Sequence, residues 1–277
     1  MGFRINTNIA SLSAQTSLQK TNRESTESFS KLSSGNRITK AADDAAGLAI
    51  SEKLKAEIRS TQQASRNAND GISMIQVAEG GLNETSNILT RLRELAMQSA
   101  SDTIGDAERG MTNLEYQQLK SEMERISKVT EFNGKKLLDG SADKYEFQVG
   151  SKNNEFEDRI AFDGSALNAS LDNIGIEGAD ISSKDGAQDS LSQLDGAIEK
   201  VSSQRAVLGA TQNRLTSTVT NLQVYGENMS AANSRIRDTD FAEETAKQAK
   251  NQILTAAGTS VLAQANMNGQ NALKLIG

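Results

Sequence analysis

Asp43 and Asp44 are the two residues whose type and spacing come closest to an acid–base pair. They stand directly before an apolar stretch that begins at Ala45, and aspartate in that position commonly caps a helix. The chain has no histidine and no cysteine, which excludes histidine- or thiolate-bound metals, serine–histidine triads and cysteine nucleophiles. We therefore predict caps at this pair. An enzyme remains possible only through carboxylates, lysine, tyrosine or a bound cofactor; our prediction is no enzymatic activity and no catalytic, cofactor or metal site.

Charge and hydropathy argue against nucleic-acid and membrane-spanning functions. The chain has 30 Lys and Arg against 36 Asp and Glu, a net charge of -6, and no block of like charge that would form a nucleic-acid surface. No run of 18 apolar residues is present that would cross a bilayer. The first residues lack a basic segment leading into an apolar stretch, so we expect no cleaved signal peptide.

Apolar residues recur at alternating spacings of four and three over two unusually long stretches. One runs from Leu54 to Ala96, and the stronger one runs from Leu191 to Ile236. The second would form a helix about 69 Å long, and the chain has no proline to interrupt it. A shorter amphipathic stretch at 116–126 supplies a third helix. A seven-residue repeat of this length favours a coiled-coil seam over a plain four-helix bundle.

The middle of the chain departs from this helical pattern. Residues 131–163 contain alternating apolar and polar positions between glycine-containing turns, which predicts a small β-hairpin region. Residues 164–186 are rich in Gly, Asn, Asp and Ser, which indicates a short loop. We assign 44–236 to one helical domain and 1–43 with 237–277 to a second.

Both chain ends have helical spacing but thin apolar faces. Isolated helices of this kind are marginal in water because nucleation and chain entropy outweigh so little burial. We expect the ends to be disordered in a monomer and ordered among copies of the chain, unless they are simply frayed termini. The residues predicted to make contacts within such a polymer are Ile5, Ile9, Leu12, Ile253, Leu254, Val261 and Leu262.

Seven segments of the chain resemble bacterial flagellin. They are INTN at 5–8, LSSG at 32–35, AADDAAGLAI at 41–50, RELAMQSA at 93–100, FNG at 132–134, LGATQNR at 208–214 and AGTSVLAQAN at 257–266. The resemblance covers roughly 1–150 and 185–277 in the family's order.

The resemblance implies a mainly α fold, a long coiled-coil-like bundle with a small β-hairpin region and paired N- and C-terminal helices. It further implies that 1–43 and 237–277 form the inner tube of a hollow flagellar filament that serves swimming motility. Residues 44–236 would then be the rod domain that builds the wall. The loop at 164–186 stands where longer flagellins carry large outer domains, so the chain is predicted to be a short form.

The resemblance also implies partners and a location. The partners are identical or related flagellins, a flagellar export chaperone on the C-terminal segment, and the filament cap and hook-junction proteins. The subunit would be exported unfolded through the flagellar type III apparatus, without cleavage, into an extracellular filament.

The family segment that a host Toll-like receptor senses corresponds here to Leu89, Arg91, Leu95 and Glu115. An exposed arginine flanked by leucines is a plausible binding hot spot. The alternative is that Arg91 and Glu115 are ordinary solvated charges on helix faces and that Leu95 lies in the core.

Two other functions fit parts of the sequence. A hook–filament junction protein shares flagellin-like ends and would assemble as a single short ring. A carboxylate-based soluble enzyme would be a compact monomer with a polar pocket.

Overall fold

The computed structural model describes residues 7–141 and 144–274, with side chains described as far as Met267. Its helices are α1 (Ile9–Ser34), α2 (Ala45–Ser99), α3 (Asp106–Val129), α4 (Leu171–Ile174), α5 (Lys184–Arg237) and α6 (Phe241–Lys274). Its strands are β1 (Glu131–Phe132), β2 (Lys135–Lys136), β3 (Lys144–Gln148) and β4 (Arg159–Asp163). The predicted fold class, mainly α with small β-hairpins and paired terminal helices, is confirmed.

The chain divides into two compact units. The central unit comprises Ile58–Glu227, and the terminal unit comprises the described residues up to Glu57 together with those from Asn228 onward. The division falls inside α2 and α5 rather than at their ends. The last residue of α5, Arg237, forms an ion pair with Glu52 in the first turns of α2, which ties those turns to the terminal unit.

The central unit is built around a continuous apolar cluster drawn from α2, α3 and α5 and from the hairpin formed by β3 and β4. Along α2 the fully buried positions recur every three or four residues, as expected for a helix packed on one face. Gly71 lies on that face, where a β-carbon would sit 2.9 Å from the ring of Phe147. The absence of a side chain at this position lets the ring pack against the helix. The largest side chains in the cluster that are fully buried include Ile75, Leu82, Leu89, Leu92, Leu95, Tyr116, Met123, Leu137 and Leu138.

Two antiparallel hairpins follow α3. The first turns at Asn133 and Gly134, which both have positive φ (51° and 76°), as a tight two-residue turn requires. The second pairs β3 with β4 and places Tyr145 opposite Phe162, whose rings stack 5.1 Å apart on the buried face.

The segment between β4 and α5 is more ordered than the loop expected at 164–186. It contains a single 3₁₀ turn (Ser165–Leu167) and α4, and it buries Leu167, Ile174, Ile176 and Ile181. The Lys120 ammonium fastens this segment by donating to the backbone oxygens of Glu177 (2.7 Å) and Ala179 (2.9 Å). Sparse but regularly placed isoleucines are enough to pack it onto the cluster.

The terminal unit pairs α1 with α6 in antiparallel orientation. The Asn8 amide donates to the backbone oxygen of Ala265 at 2.8 Å, and the Ser25 hydroxyl lies 3.4 Å from the Gln248 amide oxygen. The connections leading into and out of this helix pair are joined through their backbones, with Arg37 N donating to the Arg237 oxygen at 2.6 Å. Within the part of the chain that the structure describes, no helix has the length and apolarity to cross a membrane.

Candidate assembly surface

The seam between α1 and α6 is made of small and polar residues. The positions most deeply buried in this helix pair are Ser11, Ser28, Glu244, Asn251 and Ala265, each 8% exposed or less. On α6 the buried residues Glu244, Asn251 and Ala265 are separated by multiples of seven residues, so they share the face that meets α1. The Ser11 hydroxyl donates to the Asn266 amide oxygen at 2.8 Å across the seam. Such a seam fixes alignment but buries little apolar area.

Most of the large apolar side chains of the same two helices point away from the seam. Those with 44% to 69% of their surface exposed are Ile9, Leu12, Phe29, Phe241, Ile253, Leu254, Val261 and Met267. A soluble helix pair normally buries such residues and exposes its serines and asparagines. The inverted arrangement leaves an unpartnered apolar surface, which marks an interaction site.

The structure places the predicted polymer contacts unequally. Five of them, Ile9, Leu12, Ile253, Leu254 and Val261, lie on the exposed surface, whereas Ile5 lies outside the described residues.

Leu262 requires a correction. It is only partly exposed because it falls on the face of α6 that carries Asn251 and Ala265, next to Gly258, whose added β-carbon would lie 3.2 Å from Leu18. Leu262 therefore packs towards α1 rather than outwards.

Phe29, Phe241 and Met267 were missed as surface contacts by the sequence-based selection. Each is a large apolar residue flanked by polar or small neighbours. Their isolation in the sequence was the signal that could have identified them. A single large apolar residue outside the seam is not covered by its own helix pair.

The carboxylates of Asp43 and Asp44 cap a helix and close a turn, as predicted. The Asp44 carboxylate accepts from Gly47 N at 2.8 Å at the start of α2. The Asp43 carboxylate accepts from the backbone N–H groups of Lys40 and Thr39, both at 2.9 Å, and these bonds hold the pKa of Asp43 below its usual range. The described residues contain no cluster of three or more metal-binding side chains.

The four candidate receptor contacts separate into two groups. Arg91 is exposed, and its guanidinium donates to the Glu115 carboxylate at 2.9 Å and to Glu94 at 2.9 Å. These bonds raise the pKa of Arg91, and the bond to Glu94 contributes most.

Leu89 and Leu95 are 0% and 1% exposed and lie in the apolar cluster of the central unit. The prediction that these two leucines contact a receptor directly is therefore corrected, because the helix face that carries them is covered by the rest of the unit.

Comparison with protein families gives two matches in chain order. The model described as bacterial flagellin N-terminal helical region matches residues 5–143, and the one described as bacterial flagellin C-terminal helical region matches residues 191–276. Together they cover most of the chain and flank the β3–β4 hairpin and the segment that follows it.

Individual relatives agree with the family models over nearly the full length. The chain is 43% identical over 272 residues to a flagellin of Halalkalibacterium halodurans, covering 98% of this chain and 99% of the relative. It is 41% identical over 308 residues to a flagellin of Bacillus subtilis, covering 99% and 100%. The crystal structure of Bacillus cereus flagellin is 30% identical and superposes with a TM-score of 0.50 over 61% of this chain and 94% of that one.

The exposed apolar helix pair and these matches define a structural protein that assembles into a polymer. The chain belongs to the bacterial flagellin family. It is a filament subunit of the bacterial flagellum, an extracellular appendage for motility, and it assembles with identical subunits. A hook–filament junction protein is not favoured, because the relatives matched over almost the whole chain are flagellins.

Proposed function

We propose that the α1–α6 pairs of many copies pack together as the inner tube of the flagellar filament, and that the chain folds there as it assembles. The observation that carries this proposal is the inverted distribution of side chains, with serine and asparagine in the seam and isoleucine, leucine and valine outside it. In a filament, neighbouring copies cover the outer residues Ile9, Leu12, Ile253, Leu254 and Val261, and Ile5 extends the same face by sequence.

The energetics favour folding coupled to assembly. Each large aliphatic side chain contributes about 1.5–3 kcal/mol when it is fully buried, whereas ordering each residue costs about 1–2 kcal/mol of backbone entropy. In a single chain the helix pair gains little free energy from burial, since its exposed aliphatic side chains stay in water. Neighbouring copies supply the missing burial, so order in this unit depends on the polymer.

The domain assignment follows from the same surface. We assign 1–43 and 237–277 to the inner tube, and 44–236 to the rod domain that forms the wall, with its hairpin region at 131–163. The short segment 164–186 takes the place of outer domains. A contact that repeats between unlike surfaces without closing produces an open helical filament rather than a ring.

Export in an unfolded state accounts for two further properties of the chain. With no cysteine and no proline, refolding at the filament tip requires neither oxidation nor prolyl isomerisation. We propose type III export without a cleaved signal peptide, an export chaperone that covers the apolar face of α6, and contacts with the filament cap and hook-junction proteins. The role is structural, with no enzymatic activity and no cofactor.

Receptor recognition is a separate proposal for Arg91 and Glu115. Their exposed ion pair on α2 and α3 is accessible in the single chain, and the buried Leu89 and Leu95 hold α2 in place beneath it. A reporter assay with a Toll-like receptor tests this role. We expect Arg91→Ala to lower potency strongly and the exposed Arg59→Ala, a matched control on the same helix, to leave it unchanged. Equal potency of all three proteins would contradict the proposal.

Removal of residues 258–277 tests the assembly proposal. The shortened chain keeps the whole central unit, so its circular dichroism should retain most of the helical signal while seeded polymerisation is lost. Electron microscopy of the full chain should show extended tubes. Short rings would favour a junction protein, and persistent monomers would favour a soluble enzyme. Undiminished polymerisation of the shortened chain would refute the role given to the tail.

A further inference from the structure

The loop that joins β3 to β4 presents an aromatic side chain to solvent. Phe156 has 93% of its surface exposed, more than any other large apolar side chain that the structure describes. Glu155 and Glu157 flank it and are also exposed. The Glu155 carboxylate lies 3.5 Å from the Lys144 ammonium, whereas Glu157 takes part in no ion pair among the described residues. We call these three residues the acidic tip. Because so little of the Phe156 ring is covered, none of the residues that the structure describes serves as its partner.

The acidic tip is held in a defined conformation. The buried carboxylate of Asp158 accepts from the backbone N–H groups of Asn154 (2.9 Å) and Lys152 (3.2 Å), and the Phe156 N–H donates to the Asn154 side chain at 3.2 Å. Gly150 makes room for that carboxylate, since a β-carbon there would lie 1.8 Å from it. An organised loop loses little conformational entropy when it binds, which suits an aromatic anchor.

A surface of opposite charge lies elsewhere in the central unit. Val129, at the end of α3, is 57% exposed, and the adjoining β1–β2 hairpin carries the exposed Lys135 and Lys136. Among the residues that the structure describes, neither lysine ammonium takes part in an ion pair. We call Val129, Lys135 and Lys136 the basic patch. Glu131 lies opposite Lys136 in the hairpin register, and Lys136 also interacts electrostatically with Asp139. Lys135 therefore carries the positive charge of the patch that no neighbouring carboxylate among the described residues offsets.

We propose that the acidic tip of one subunit docks on the basic patch of a neighbouring subunit in the filament, an inference that rests on the proposed function. The ring of Phe156 packs against Val129 and the aliphatic stems of the two lysines, and Glu157 faces the Lys135 ammonium. The occupant is a second copy because the chain itself carries both complementary surfaces. Since the two surfaces differ, the contact is heterologous and propagates along a polymer.

Polymerisation of two substituted proteins tests the aromatic and charged parts separately. For Phe156→Ser we expect the critical concentration for seeded growth to rise about tenfold or more, because the ring is no longer buried between copies. The monomer's melting temperature should not change, as the residue is almost fully exposed. Glu157→Lys should raise the critical concentration several-fold through like-charge contact with Lys135 and Lys136.

Charge reversal on the basic patch gives the decisive test of the proposed contact. Combining Glu157→Lys with Lys135→Glu should restore the critical concentration to within about twofold of the wild type, whereas Lys135→Glu alone should impair growth. Glu199→Lys on the exposed face of α5 is the matched control for net charge and should have no effect. No rescue, or an unchanged critical concentration for Phe156→Ser, would overturn this inference while leaving the proposed filament function intact. Failure of the wild-type chain to polymerise at all would overturn both.

Discussion

The terminal and central units use the same alternating helical spacing but place opposite kinds of residue in the seam. In the central unit the seam holds Leu82, Leu89 and Leu208, each fully buried. In the terminal unit the seam holds Ser11, Ser28 and Asn251, while the aliphatic residues of the same helices face solvent. Periodicity therefore specifies which residues share a helix face, but the chemistry of that face decides whether the chain alone can bury it.

This difference separates the two units in stability. The central unit carries its own apolar cluster and is expected to fold in a single chain. The terminal unit has a polar seam and an uncovered apolar surface, so its order is expected to depend on neighbouring copies. The substitutions below test whether the two units respond as differently as their seams imply.

The largest effect is expected from a cavity in the central unit. Leu89→Ala removes a fully buried side chain from the cluster and should destabilise the folded monomer by about 2–5 kcal/mol. Chemical denaturation monitored by circular dichroism measures the loss. The exposed neighbour Thr90→Ala is the matched control and should change stability by about 0.5 kcal/mol or less. A similar small change for Leu89→Ala would show that the cluster does not stabilise this unit.

The reverse response is expected in the terminal unit. Ile253→Ser, at a position 69% exposed, should leave monomer stability within about 0.5 kcal/mol of the wild type. The same change should raise the critical concentration for polymerisation about tenfold, because the isoleucine is buried only between copies. Gln252→Ser, at the adjacent exposed position, should polymerise normally. Destabilisation of the monomer by Ile253→Ser would mean that the surface is covered within the single chain.

A buried cation makes the stability of the central unit depend on pH. Burial lowers the pKa of Lys120 from its usual value of 10.5, so the charged form is disfavoured in the folded state at neutral pH. This penalty disappears as the pH rises from the folded pKa towards the unfolded value. The wild type should therefore gain stability relative to Lys120→Met as the pH rises through the lowered pKa of Lys120 towards about 10.5.

Burial raises the pKa of Tyr116 to about 12, but both proteins carry this tyrosine, so its effect on stability cancels in the comparison. Denaturation curves of the wild type and Lys120→Met at several pH values measure the difference. A stability difference that is independent of pH would show that Lys120 is not desolvated by the segment it fastens.

The smallest effect is expected from the exposed ion pairs of the central unit. Glu115→Gln removes one partner of Arg91, whose side chain is 50% exposed. Solvent screening makes such pairs weak, so the melting temperature should stay within experimental error of the wild type at 0.15 M salt. A clear drop would indicate that the pair braces α2 against α3. An unchanged value would make this substitution a clean test of the receptor proposal.

Much of the fold is predictable from the sequence because long unbroken periodicity has few structural solutions. The long helices, the terminal helices and the hairpin region fall where the spacing places them, whereas α4 lies in a segment expected to be a loop. The face of each long helix was less well defined. Counted from Leu54, the alternating spacing of four and three falls on Glu79 and Arg93, whereas the buried seam of α2 runs through their neighbours Ala78 and Leu92.

The exposed apolar surface of α1 and α6 shows a related limit of prediction from the sequence. As polymer contacts, spacing selected Ile9 and Ile253, which are exposed, together with Leu262, which lies on the seam. On α6 almost every face contains alanine or another small residue, so hydrophobicity alone does not distinguish the inner face from the outer one. Only the antiparallel pairing with α1, through contacts such as Asn8 to Ala265, fixes which side of α6 is covered.

Amide hydrogen exchange, followed residue by residue in dilute monomer and in assembled filament, measures this dependence on neighbours directly. The expected result is rapid exchange throughout α1 and α6 in the monomer, strong protection of the cluster-forming parts of α2, α3 and α5 in both states, and protection of α1 and α6 only in the filament. Monomeric α1 and α6 as strongly protected as the central unit would contradict the claim that copies of the chain supply the burial that orders its ends.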